Sequence, residues 1–228
     1  MPDWSLEGEL RKAARADNVE SALRILNLLP INEQLATLSS GSDWVRGGAE
    51  TYIFRFDVRT RSGLTIPAII KAHTPAIGPR SIDESLSELL RRRQLLANGG
   101  IRTPSLYYAG NGIVIERYLP FSFVERFAEV PTQSADRFRL STELVAIAIV
   151  LDEHGFAPIE IIGDLRVDES GDVFMIDFGE DLGPPNNRPN RLQNEQSVSS
   201  WLKQHDIQWS YEAIRNEAVE LLRRRRNA

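Results

Sequence analysis

The chemistry-bearing residues of this chain sit at the ends of apolar strands. Val173-Phe174-Met175-Ile176-Asp177-Phe178-Gly179 reads as an apolar strand that ends in a carboxylate, followed by a glycine that lets the chain bend. Such a support aims Asp177 outward from rigid backbone, as a metal ligand requires. Asp164 lies 13 residues upstream, in Ile162-Gly163-Asp164-Leu165-Arg166. Ala68-Ile69-Ile70-Lys71 places an ammonium at the end of another apolar strand. Glu88 is the favoured carboxylate to hold it, with Glu84 one helical turn earlier as the competitor. Gly47-Gly48 falls between two strand-like stretches, where a missing Cβ lets backbone amides approach phosphate oxygens. Ile113 to Pro120, with Glu116 and Tyr118, is an apolar strand running into a polar break. It either links two lobes and offers backbone groups to an adenine edge, or is an ordinary core strand. A cradle, a cation and outward-facing carboxylates are the parts of a phosphoryl-transfer site. Taken singly, each has a plainer reading as a turn, a solvated strand end or a core strand.

Periodicity supplies the elements that must position these residues. Residues 5–38 carry helical spacing, through Leu6, Leu10 and Ala14 and then Val19, Leu23, Leu26 and Leu29, with Pro30 ending the second helix. From Trp44 the period changes. Trp44–Arg46, Thr51–Val58 and Leu64–Ala72 are rich in β-branched and aromatic residues and predict three antiparallel strands. Ser81 and Glu84 have the spacing of a reciprocal helix cap, and Leu86, Leu89, Leu90, Leu95 and Leu96 give that helix an apolar stripe, stopped by Gly99-Gly100. Ser105–Ala109 and Ile113–Tyr118 flank Asn111-Gly112, a strong hairpin signal. The second half predicts a helix over Ser134–His154, a hairpin of Ile161–Val167 and Val173–Ile176, and two amphipathic helices over Glu195–Gln204 and Ser210–Arg226.

The ordered set Gly47-Gly48, Lys71, Glu88, Ile115–Leu119 and Asp177-Phe178-Gly179 resembles the protein-kinase-like superfamily, both its Ser/Thr kinases and its aminoglycoside-phosphotransferase-type branch. The similarity covers roughly Trp44 to Gly183. It implies an α+β, two-lobed fold, with a five-stranded antiparallel N-lobe with one inserted helix over 41–118 and a small, mainly helical C-lobe over 119–228, ahead of which the helical spacing makes residues 1–40 an N-terminal helical extension. It further implies ATP and Mg as cofactors, with Lys71 on the phosphates, Glu88 holding Lys71, and Asp177 on the metal. The implied activity is an atypical, minimal kinase transferring the γ-phosphate to a hydroxyl of a protein or small molecule. The alternative is an inactive kinase-like module that binds nucleotide or protein.

The chain departs from the family where catalysis is decided. The family's catalytic loop carries an Asp after His-Arg or His-Gly, and an asparagine five residues on. Asp164 stands in the asparagine slot by its distance from Asp177, which makes it a second metal ligand. That register puts Ile159 in the catalytic slot and leaves Glu160 as a displaced substitute. In the other register Gly163-Asp164-Leu165 matches the Gly-Asp-Leu of small-molecule kinases, and Asp164 orients the acceptor. His154 is preferred as a cation at a helix end, and Arg223–Arg226 as a solvated helix terminus.

Composition bounds the partners. The chain has 228 residues, 42% hydrophobic content and a net charge of −5, which argues against a nucleic-acid or anionic-membrane binder held by a positive field. The absence of cysteine excludes disulfides and thiolate metal sites. The longest apolar run, Leu144–Leu151, is too short to span a bilayer. The N-terminus lacks the pattern of a secretory signal. A cytoplasmic location is expected, with an exported bacterial effector as the alternative.

Overall fold

The structure, a computed structural model, describes residues 35–45, 51–60, 65–73, 82–110, 113–179, 182, 193–205 and 207–227. Gly47, Gly48, Ser81, the Asn111-Gly112 turn and the helices read over residues 5–34 lie outside the described residues. Among the described residues the protein is α+β, with two antiparallel sheets and five helices.

The larger sheet runs β1 (Leu35–Val45), β2 (Thr51–Thr60), β3 (Thr65–His73), β4 (Leu106–Gly110) and β5 (Ile113–Arg117), in the spatial order β1-β2-β3-β5-β4. Helix α1 (Ile82–Asn98) is inserted between β3 and β4 in sequence, as the periodicity predicts. β1 begins at Leu35, ahead of the Trp44 start read from the sequence, so the helical spacing read to residue 38 overruns into strand. Leu35, Leu38 and their neighbours fit either period, and pairing decides. The ten residues of β2 need a partner of similar length, and β1 supplies it from Leu35↔Thr60 to Val45↔Ile53. The register shifts between Ser40 and Trp44, which hides the alternation of a regular strand.

The described residues up to Ser87, together with Pro104–Tyr118, form one compact unit. Glu88–Thr103 and the chain from Leu119 onward form the second.

The second unit is built around helix α3 (Ala135–His154), buried at every position from Leu140 to Leu151. Side chains that face protein all round explain why Leu144–Leu151 lacks a polar stripe. Ser134 caps the helix by accepting from the Arg137 amide at 3.1 Å. Gly155, at φ 71°, ends it, with the Phe156 amide returning to the Leu151 carbonyl at 2.9 Å. Gly99 permits a close approach to α3, since a Cβ there would lie 2.5 Å from a Val150 methyl. Helices α4 (Gln193–Gln204) and α5 (Tyr211–Arg226) pack on α3, adding Val198, Leu202, Ile214, Ala218 and Leu222 to one core. No helix among the described residues is long and apolar enough to cross a membrane.

The small sheet of this unit orders β6 (Phe121–Ser122), β7 (Leu165–Val167) and β8 (Val173–Met175). β7 is shorter than the predicted Ile161–Val167, because Ile161–Asp164 turns, with the Asp164 amide on the Ile161 carbonyl at 3.3 Å. The β7–β8 turn is held by Asp168, whose Oδ1 accepts from the Ser170 and Asp172 amides at 3.0 and 2.9 Å. Helix α2 (Phe123–Glu129) has no counterpart in the sequence reading.

The expectation of a solvated arginine run at the C-terminus is corrected in part. Arg223 and Arg224 do pair at the surface, with Glu220 and Glu217. Arg225 is instead half-buried and reaches the buried Glu143 and the Gly100 carbonyl, while Arg226 holds the Gly99 carbonyl and Glu153. The last carbonyls of α1 accept from the Gly99, Gly100 and Ile101 amides, and α5 supplies donors to the two glycine carbonyls just beyond the helix.

Candidate functional site

In the sheet of the first unit, β3 pairs with β5 so that Ile69 stands opposite Glu116 and Lys71 opposite Val114. Lys71 and Glu116 are therefore diagonal neighbours on one face. Their side chains meet, Lys71 Nζ lying 2.7 Å from Glu116 Oε1, with only 12% and 3% of each exposed. A contact this dry is stronger than a surface pair, because little water screens it. Tyr118 follows, half-buried, its amide donating to the Pro67 carbonyl at 3.3 Å.

In the second unit, Glu88 faces the cations of its own helix. Arg91 donates to it through Nε and Nη2, both at 2.7 Å, and Arg92 donates through Nε at 2.9 Å. These two guanidinium groups hold the Glu88 carboxyl down at about 2. The salt bridge found for Lys71 is thus with Glu116, and those found for Glu88 are with Arg91 and Arg92.

Arg92 also donates through Nη1 to the carbonyl of Gly179. The next residue, Arg93, lies over the Phe178 ring, its guanidinium carbon 5.5 Å from the ring centre. Phe178 is buried in the core of this unit. Asp177 itself is exposed, with Oδ1 accepting from the Gly179 amide at 3.0 Å. The motif is therefore tied down immediately after its acid, which faces solvent as an apolar strand ending in Asp would present it.

Asp164 reaches the same place through backbone. Its carbonyl accepts from the Ile176 amide at 2.9 Å, so the residue before Asp177 is bonded to Asp164. Asp164 is half-buried at the start of β7. Glu160 is exposed and folds against Gly163, where a Cβ would meet its carboxyl carbon at 3.1 Å. The absent side chain of Gly163 leaves that carboxylate its place. Ile159 points into solvent, 85% exposed.

In the second unit, backbone joins Asp164 to the residue before Asp177, and Arg92 joins Glu88 to Gly179; in the first, Lys71 pairs with Glu116. Arg92 and Arg93 were not singled out in the sequence. The signal for them was their spacing in the run Arg91-Arg92-Arg93: Arg92 and Arg93 lie three and four residues from both Leu89 and Leu96, on the face of the helix that is buried, and buried arginines seek acceptors. Among the described residues no group of three or more His, Cys, Asp or Glu side chains converges as a metal cage. Magnesium bound through a nucleotide needs no such cage, since it takes one or two carboxylates along with phosphate oxygens and water. Asp164 and Asp177 fit that donor chemistry. The chain matches none of the family models and none of the curated proteins with which it was compared.

Proposed function

We propose that the chain is a two-lobed, kinase-like domain that binds a magnesium nucleotide and transfers its γ-phosphate to a hydroxyl of a protein or small molecule. The observation that carries this reading is the hydrogen bond from the Ile176 amide to the Asp164 carbonyl, which sets two acids at the end of one hairpin with Asp177 exposed. A five-stranded antiparallel sheet with one helix inserted after its third strand, and a separate helical unit, suit the same reading.

In this reading Lys71, steadied by Glu116, serves the phosphates, and Tyr118 lies on the stretch that meets the adenine edge. Asp177 and Asp164 would hold magnesium, which neutralises charge on the phosphates when bound. Transfer forms a bond from the acceptor oxygen to the γ-phosphorus and breaks its bond to the diphosphate oxygen. The acceptor proton passes to a carboxylate, and Glu160, exposed and folded against Gly163, is the candidate.

A second reading, a nucleotide-binding module without transfer, is favoured by one observation. Ile159, in the slot of the family's catalytic acid, offers no base and stands exposed. Isothermal titration with Mg-ATP, beside product analysis on protein and small-molecule acceptors, separates the two. Transfer that falls about 100-fold or more in Asp177→Ala and Asp164→Ala supports the phosphotransferase. Mg-dependent binding without product supports the module. A native chain that binds no nucleotide, indistinguishable from Asp177→Ala, removes both.

A further inference from the structure

We infer that Arg92, anchored by Glu88, is a positioning residue for the Asp177-Phe178-Gly179 turn, a role that rests on the reading of Asp177 as a metal ligand. Arg92 is 4% exposed and its guanidinium serves two acceptors at once, Glu88 through Nε and the Gly179 carbonyl through Nη1. That carbonyl also accepts from the Leu182 amide at 3.1 Å, while the Gly179 amide holds Asp177 Oδ1 at 3.0 Å. A peptide unit fixed through both its oxygen and its neighbouring amide has little freedom to rotate. The Asp177 carboxylate, hydrogen-bonded to that amide, inherits the constraint. Arg93 over the buried Phe178 ring secures the residue between them.

The arrangement needs a planar fork. An ammonium is a single point of charge and cannot present two separated N–H groups in fixed directions, so lysine at position 92 would serve one acceptor and lose the other. Glu88 sets the fork's orientation, and with two guanidinium groups against it, it stays charged throughout the neutral range.

The test compares the full chain with Arg92→Gln, Arg92→Lys and Glu88→Gln by amide hydrogen exchange and by magnesium titration at fixed ATP. Exchange at the Gly179 and Leu182 amides rises about tenfold in Arg92→Gln, the scale of one charge-assisted hydrogen bond, and less in Glu88→Gln, with amides of Leu144–Leu151 unchanged. The magnesium concentration for half-saturation rises in the same order, Arg92→Lys recovers only part of it, and ATP affinity without magnesium stays within about twofold. Unchanged exchange at the two amides in both Arg92→Gln and Glu88→Gln overturns the positioning role, as does raised exchange with an unchanged magnesium requirement. Should Arg92→Gln fail to fold, Glu88→Gln and Arg92→Lys carry the comparison. If native protein shows no magnesium-dependent binding, the metal reading of Asp177 fails by itself, and exchange still decides whether Arg92 holds the turn.

Discussion

Lys71 is the residue whose environment most exceeds what its position in the sequence announces. An apolar strand ending in lysine is visible in Ala68-Ile69-Ile70-Lys71, but its partner depends on which strand lies beside β3 and in what register. That neighbour is β5, separated from β3 by a helix and another strand, so the diagonal to Glu116 cannot be read from spacing along the chain. The same applies to Arg92 and Gly179, 87 positions apart. Asp177 was legible because its support is local, an apolar strand and a turn. The Lys71–Glu116 pair carries a direct expectation. Glu116→Leu leaves a nearly dry ammonium without its carboxylate and is expected to cost about 3 kcal/mol, whereas the double variant Lys71→Met with Glu116→Leu regains most of that loss. Urea midpoints of the two singles and the double complete the cycle, and additive losses would show that the pair is not coupled. Nucleotide titration of the double variant then asks separately whether the lysine serves phosphate.

At the scale of elements, long periodic segments were legible and short ones were not. Helix α3 and the α4 and α5 helices carry enough turns for their pattern to emerge, and the β7–β8 hairpin announces itself through Asp168 and Gly171, the latter at φ 81°. Helix α2 has seven residues and gives only two repeats of its buried face, Phe123 and Phe127, four apart. Those two rings are nonetheless its reason to exist. They stack at 5.6 Å, and Phe127 meets the Trp201 ring edge-on at 4.8 Å and the Arg137 guanidinium at 3.8 Å. Arg137 also donates to the Phe127 carbonyl, so the last turn of α2 is fastened to α3 through one residue. Phe127→Ala removes the ring and leaves Arg137, whose charge burial already disfavours, facing a void. It is expected to cost about 3–5 kcal/mol in chemical denaturation. The exposed Val124→Ala in the same helix should stay within about 0.5 kcal/mol. Equal losses in the two variants would mean that α2 is held by its helix propensity and not by its aromatic anchor.

At the scale of the whole molecule, the chain's second unit is closed by charge as well as by its apolar core. Glu143, buried in the middle of α3, accepts Arg102 at 2.9 Å from the loop after α1, and Arg225 from the far end of α5. Arg102 also reaches Asp172 in the β7–β8 turn at 3.0 Å, so one acid and its partners join α1, α3, the hairpin and the C-terminal helix. A run of four arginines looks uniform in sequence, and only the packing of α5 on α3 separates the inward Arg225 from the outward Arg223. The two therefore differ sharply in expected effect. Arg225→Ala takes a cation from a carboxylate that is nearly out of water and a donor from the Gly100 carbonyl, at a cost of about 2–3 kcal/mol. Arg223→Ala breaks only an exposed pair with Glu220, which is worth well under about 1 kcal/mol. Thermal melts at low and high salt check both the ranking and its cause. The deficit of Arg225→Ala relative to native protein should persist at high salt, because the lost pair is shielded from mobile ions, whereas any deficit of Arg223→Ala should fade. Equal melting temperatures for the two variants would place Arg225 at the surface and leave Glu143 to Arg102 alone.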